Sequence, residues 1–195
     1  MKLIHNFLGH LRTINHHKSL VMQMCFRVGL YKQGLLHDLS KYSPVEFIPG
    51  VIYFQGNRSP INREKELHRI SRGWLHHKGR NKHHIEYWID FSPVPGEGLT
   101  GMKMDKRYVA EMVIDRISAS KNYQKEQYQN DSALKFYMRG RKYMLIDWET
   151  DFLTRYLLTM YAQQGEEYFC NYMKHTLLKH KYRDYHVVNE QLVLD

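Results

Sequence analysis

An all-helical fold with a metal site in its core is what the sequence predicts, and three observations carry that prediction. Apolar residues recur at three- and four-residue steps along most of the chain, strand-like alternation is scarce, and thirteen histidines include one joined to a carboxylate in His37-Asp38. At 195 residues the chain fits a single unit, expected to span 1–195, with a metal-binding core over 1–125 and C-terminal helices over 126–195 packing on it.

The elements follow in order. Phe7, Leu11, Ile14, Leu20, Val21, Met24, Cys25 and Val28 share one helical face, which predicts a long or broken first helix. Gly29 and Gly34 bracket a short step, after which Leu35 and Leu36 are expected to carry the dyad into the core. Ser43-Pro44-Val45-Glu46 supplies a cap, a first-turn proline and a returning carboxylate, so a helix should begin there and be disturbed soon after by Pro49-Gly50. Gln55 to Pro60 reads as a loop and Asn62 as the next cap.

From Asn62, the spacing of Leu67, Ile70, Trp74 and His77 predicts one helix whose apolar stripe turns His77 inward, with His76 about 100° round from it. Gly79-Arg80-Asn81 interrupts that helix, and His83 to Trp88 forms a short turn or helix. Phe91 to Gly101, rich in proline and glycine, reads as a surface loop or lid. A strong helix follows from Asp105 through Val109, Met112, Val113 and Ile117, with Asp115 beside its apolar stripe. Three later helices, near Ser132 to Met138, Asp147 to Gln163 and Glu166 to Lys181, read as scaffold. Val187 to Leu194 is open between a strand and loose packing.

Composition narrows the function classes. The two cysteines, Cys25 and Cys170, stand far apart in apolar helical patterns and are expected to be reduced, with no disulfide. The N-terminal residues lack the pattern of a secretory signal, and every apolar run is broken before the roughly 18 to 20 residues that a membrane span needs. A soluble, cytoplasmic protein is therefore expected. The formal charge of +9 favours anionic partners, but the basic residues are spread along the chain and read mostly as solvated helix faces. Nucleic acid is for that reason a less favoured partner.

His37-Asp38 holds the chemistry. A neutral imidazole beside a carboxylate suits a borderline divalent cation, and the two carboxylate oxygens can bridge a second ion. Further ligands are offered by His16 or His17, by His76, His77, His83 and His84, and by Asp115. Lys41 stands one helical turn beyond the dyad, where a fixed ammonium can neutralise a phosphate oxygen.

In order along the chain, His17, then Gly34-Leu35-Leu36-His37-Asp38-Leu39-Ser40-Lys41, then Trp74-Leu75-His76-His77-Lys78, then Ile114-Asp115-Arg116 resembles the HD-domain superfamily of metal-dependent phosphohydrolases, over roughly the first 120 residues. Arg80-Asn81, His83-His84 and Tyr87-Trp88 look most like a little-characterised HD-like family of bacteria and phages whose function is unknown. The resemblance implies an HD-like helical bundle holding one or two divalent ions, with Mn, Fe, Mg and Zn all open.

His17, His37, Asp38, Asp115, His76 and His77 are the expected ligands, and Asp38 and Lys41 the catalytic pair. Lys41, Arg80, His83 and His84 are the expected substrate contacts, and the substrate a nucleotide or other small phosphate ester. Two departures limit what carries over. Ser40 stands where many relatives have glycine, and the stretch after His77 is basic where the cyclic-dinucleotide branch is acidic and glycine-rich, so that branch's substrate is not expected. The same ligands also suit a di-iron oxygenase, and a third reading is a non-catalytic, metal-stabilised module binding nucleotide or nucleic acid. A homodimer through the aromatic-rich helices of the C-terminal third is left open.

Overall fold

The computed structural model describes residues 2–180 and 184–194. α1 (Lys2–Arg27) is one unbroken helix that buries Asn6, His10, Ile14, His17, Val21, Met24 and Cys25, a stripe at three- and four-residue spacing. Leu3, Ile4, Phe7 and Leu8 of its first two turns are exposed, and burial starts at Asn6 and not at Phe7. Gly29, at φ 86°, turns the chain into α2 (Tyr31–Leu36).

Leu35 and Leu36 do not carry the dyad into the core, since both are more than half exposed. The inward residue of α2 is Gly34, where a Cβ would meet the Cys25 side chain at 2.9 Å, so α2 approaches α1 across its glycine. A 3-10 turn, Leu39–Tyr42, leads to α3 (Pro44–Ile52), which begins where the cap signature places it. α3 continues through Pro49-Gly50, because one lost hydrogen bond is outweighed by its packing on α1 and on the two helices that follow.

The helix expected to run from Asn62 to His77 is two helices. α4 (Pro60–His68) follows Ser59 and ends at Arg69 in a left-handed conformation, φ 59°. α5 (Arg72–Lys78) starts afresh on Ser71, whose hydroxyl accepts the Trp74 N–H and donates to Glu64. Leu67 and Ile70 remain half exposed, so the apparent apolar stripe across the break had no core to pack on. The stretch read as a loop or lid is an antiparallel hairpin, β1 (Ile89–Phe91) with β2 (Leu99–Gly101), reached through a 3-10 turn at Ile85–Trp88.

α6 (Lys106–Gln124) is the central helix, buried on nearly every side between Val109 and Ile114. Val109, Val113 and Ile117 are wholly buried, each contributing about 1.5–3 kcal/mol. α7 (Ser132–Arg141) and α8 (Trp148–Tyr172) pack on it. The expected break between Gln163 and Glu166 falls at Gly165, whose φ of 78° and ψ of −179° leave the helical region and divide α8 into two arms.

A π turn at Met173–Leu177 follows, and the expected helix end at Lys181 lies outside the described residues. The tail is a strand pair, β3 (Tyr185–Val188) with β4 (Gln191–Leu194). The fold is thus mainly helical, with two small hairpins among the described residues. Its buried apolar cluster draws on Val21 and Cys25 of α1, on α6, and on Tyr137, Leu157, Phe169 and Tyr185. Cys25 and Cys170 are buried free thiols, and no helix among the described residues is long and apolar enough to cross a membrane.

Candidate metal centre

Two consecutive side chains meet at one point because the backbone reverses between them. His37 ends α2 with φ −51° and ψ 125°, and Asp38 follows in the left-handed region, φ 54°, a conformation that aspartate tolerates better than most residues. His37 Nε2 and Asp38 Oδ2 then lie 3.3 Å apart, both residues buried. Lys18, from α1, donates to the carbonyls of Leu35 and His37 at 2.8 Å each and pins the end of α2 that presents the dyad.

The Asp38 carboxylate divides the centre into two sides. Oδ2 faces His37 Nε2 at 3.3 Å, His17 Nε2 at 3.8 Å and Lys41 Nζ at 2.6 Å. Asp115 Oδ1, from α6, closes that side at 2.9 Å from His17 Nε2 and 3.5 Å from His37 Nε2. On the other side, Oδ1 faces His77 Nε2 at 3.2 Å and His83 Nε2 at 3.3 Å, with His84 alongside. In each set, His17, His37, Asp38 and Asp115 or Asp38, His77, His83 and His84, one ligand atom per residue lies within 4.8 Å of the others, so either set can hold a metal ion.

Two glutamates orient the imidazoles. Glu111 Oε1, buried on α6, accepts from His37 Nδ1 at 3.0 Å and stands 3.2 Å from His83 Nδ1. Glu46, on α3, accepts from His77 Nδ1 at 2.8 Å through Oε2 and from His76 Nδ1 at 2.6 Å through Oε1. With Nδ1 protonated and engaged, the Nε2 lone pairs of His37, His77 and His83 turn toward Asp38, the arrangement in which carboxylates fix metal-binding histidines.

Lone pairs facing carboxylate oxygens repel unless a cation stands between them. The Nε2 atoms of His17, His37, His83 and His84 and Asp38 Oδ1 are buried without hydrogen-bond partners in the protein, and the 2.9 Å approach of His17 to Asp115 lacks the alignment of a hydrogen bond. Each such orphan costs about 1–3 kcal/mol if left unsatisfied. Their convergence fits a bound divalent cation, and the donor set of imidazoles and carboxylates suits a borderline metal.

Protons stand in where no metal is held. Burial opposes charging His37, yet Asp38, Asp115 and Glu111 outweigh it and hold its pKa well above the ordinary imidazole value. His77 is raised by Asp38 and Glu46 against its burial, and His83 by Asp38 and Glu111 against its burial and its charged neighbour His37. Asp38 is held well below the carboxylate range, burial being overcome by His37, Lys41 and His77, and Asp115 likewise by His17 and His37. His17 is lowered by burial and then by Lys41, and His84 falls well below the usual value through burial and the nearby His83 and His77.

The structure therefore brings His17, His37, Asp38, His77 and Asp115 together as the sequence suggests, with Lys41 in contact with Asp38. It does not bring His76, which belongs to neither donor set and bonds Glu46 instead. The end of α5 decides this: one helical step separates the two histidines, and only His77 faces the carboxylate. His83 and His84, expected as substrate contacts, stand among the donors. Arg80 donates to the His76 carbonyl at the exposed surface and is in neither donor set. His16 is exposed and bonds Asn122.

Glu111 and Glu46 were not among the expected residues. Glu111 lies four residues before Asp115, one turn up the same helix face, and that spacing was a usable signal. Glu46 stands where the sequence suggests a capping carboxylate, but the Ser43 hydroxyl is unpaired and Glu46 serves the histidines.

A model of the DUF5662 family, described as a family of unknown function, matches residues 6–160. The chain belongs to that family. The DUF5662 match spans both donor sets, Glu46 and Glu111, and ends before Gly165 and the C-terminal hairpin. No curated protein and no solved structure matches the chain.

Proposed function

We propose that the protein is a metal-dependent phosphohydrolase of the HD type, acting on a nucleotide or another small phosphate ester. The observation that carries this reading is the Asp38 carboxylate, whose two oxygens each face a separate set of imidazoles while Lys41 touches Oδ2. Divalent ions bound to such a set supply Lewis acidity and a water of lowered pKa.

The chain's own groups have distinct tasks. His17, His37, Asp115 and Asp38 Oδ2 form one seat, and His77, His83, His84 and Asp38 Oδ1 the other. Glu111 and Glu46 hold the imidazole tautomers that leave Nε2 free. Lys41 is half-buried at the rim, and its ammonium, kept charged by Asp38 and Asp115 against its burial, offsets charge on the non-bridging phosphoryl oxygens. Arg80 has no part in this reading.

Elemental analysis of the protein as isolated, joined to a phosphate-release screen over nucleotides and simple phosphate esters, tests it. Asp38→Ala should lose both the metal and the turnover, because it removes a ligand from each seat at once; turnover retained by that variant defeats the mechanism. One other reading has support in the same geometry, since a carboxylate shared between two imidazole sets also suits two irons. Iron in the isolated protein, with oxygen consumption and no phosphate release, would favour that oxygenase.

A further inference from the structure

A cleft of about 190 Å³ opens on the Oδ2 side of Asp38, where His17, Lys41 and Asp115 all line it. Along α1 it runs from His17 through Ile14 to His10. α6 supplies another part of the wall, through Asp115, Ala119 and Tyr123.

Those three residues stand four apart, on successive turns, so a ligand of the metal centre and a phenol share one side of the helix. Only a methyl group stands between them. Ala119 therefore leaves a step in the wall, with about 6 Å of helix rise on either side of it. Helical side chains lean toward the N-terminus of their helix, so Tyr123 leans back across that step toward Asp115.

Packing does not account for Tyr123, which is half-buried and stands outside the buried apolar cluster. The charges that act on its hydroxyl are Lys41, Asp115 and Asp38, the groups of the Oδ2 side. Burial raises its pKa, helped by Asp115 and Asp38, against Lys41 and the Ser59 hydroxyl. At neutral pH it is thus a phenol with a proton to donate. Lys41 brings an ammonium to the same cleft, and the other carboxylates of the wall are engaged, Glu46 by His76 and His77 and Glu64 by Ser71.

An ammonium and a neutral O–H donor in one cleft suit an anion with several oxygens, because each donor can take a different oxygen. Asp38 and Asp115 repel such an anion until a cation offsets them, so it should bind only to the metal-loaded protein. We propose that the Tyr123 hydroxyl is a phosphoryl-binding group, donating to one non-bridging oxygen while Lys41 faces another. This rests on the hydrolase reading for turnover, though not for the binding of phosphate.

The test compares the wild-type protein with Tyr123→Phe and Ala119→Leu in three measurements: calorimetric titration of the Mn²⁺-loaded protein with inorganic phosphate, chelator competition for Mn²⁺, and turnover of phosphate esters. Tyr123→Phe should weaken phosphate about tenfold and lower kcat/KM by a similar factor, with Mn²⁺ affinity unchanged. Ala119→Leu fills the step and leaves the phenol intact, so it should weaken phosphate at least as far, and it decides the matter if Tyr123→Phe fails to fold. Unchanged phosphate affinity overturns the proposal. So does a loss of Mn²⁺ affinity in step with phosphate, which would make Tyr123 a support of the metal seat. Should the wild-type protein hydrolyse no phosphate ester, the hydrolase reading fails and the titration alone decides: Tyr123-dependent phosphate binding supports the proposal, and Tyr123-independent or absent binding overturns it.

Discussion

Glu111 is where the two sides of the centre are tied together, because a single oxygen accepts from His37 Nδ1 and stands 3.2 Å from His83 Nδ1. Removing it frees two imidazoles to rotate and lowers their basicity, so Glu111→Leu should weaken metal binding about 10- to 100-fold. Glu111→Gln, which keeps the oxygen and loses the charge, should fall between. Competition with a chromogenic chelator measures both, and an unchanged affinity in Glu111→Leu would show that the imidazoles are held by packing alone. At this scale His17 was legible as a ligand type on the inward face of α1, Asp115 as a carboxylate beside the apolar stripe of α6, and His37 and Asp38 as an adjacent imidazole and carboxylate, though the reversal that turns them together was not. The choice among four clustered histidines was not legible, since it turns on a rotation of one residue at the end of α5 and on the loop that returns His83 and His84 to Asp38.

Among the elements, α8 shows how a local signal becomes geometry. Gly165 sits at φ 78° and ψ −179°, a region that residues with a Cβ rarely enter, and a Cβ there would meet nothing closer than Asn130 Nδ2 at 3.9 Å. The cost of Gly165→Ala is therefore backbone strain and not collision. It should destabilise the fold by about 1–3 kcal/mol, read from the shift of the urea midpoint, with metal binding retained because the centre lies on other helices. A variant as stable as the wild type would show that α8 straightens there at no cost. α1, α3 and α6 were legible from periodicity and caps. The break between α4 and α5 was not, because Ser71 capping overrode an apolar spacing that Leu67 and Ile70 never bury.

For the whole molecule, the buried charges predict how stability depends on pH and on metal. His37, His77 and His83 are held above the ordinary value of 6.5, so what they contribute is complete below that pH and is lost as pH rises through their folded values. His10, His17 and His84 are held below 6.5, so their contribution is lost as pH falls beneath it, toward about 4 for His10. Asp38 and Asp115 add a loss only at strongly acidic pH, below their ordinary 3.8. The Tm of chelator-treated protein should peak near pH 6.5 and decline on both sides. Added Mn²⁺ should abolish the alkaline decline, because bound metal replaces those protons and binds more tightly as pH rises. Thermal melts from about pH 5 to about pH 9, with and without metal, check this; a Tm that climbs steadily with pH in the chelated protein would contradict it.

The sequence by itself determined the helical class, the main helix faces and the residue types able to hold a cation, because these follow from spacing along one chain. Only the tertiary structure decided which histidines meet Asp38, that Glu111 and Glu46 orient them, and that a cleft runs on to His10. Those relations join atoms from different helices, and they depend on backbone reversals at Asp38 and Arg69 that no periodic pattern encodes.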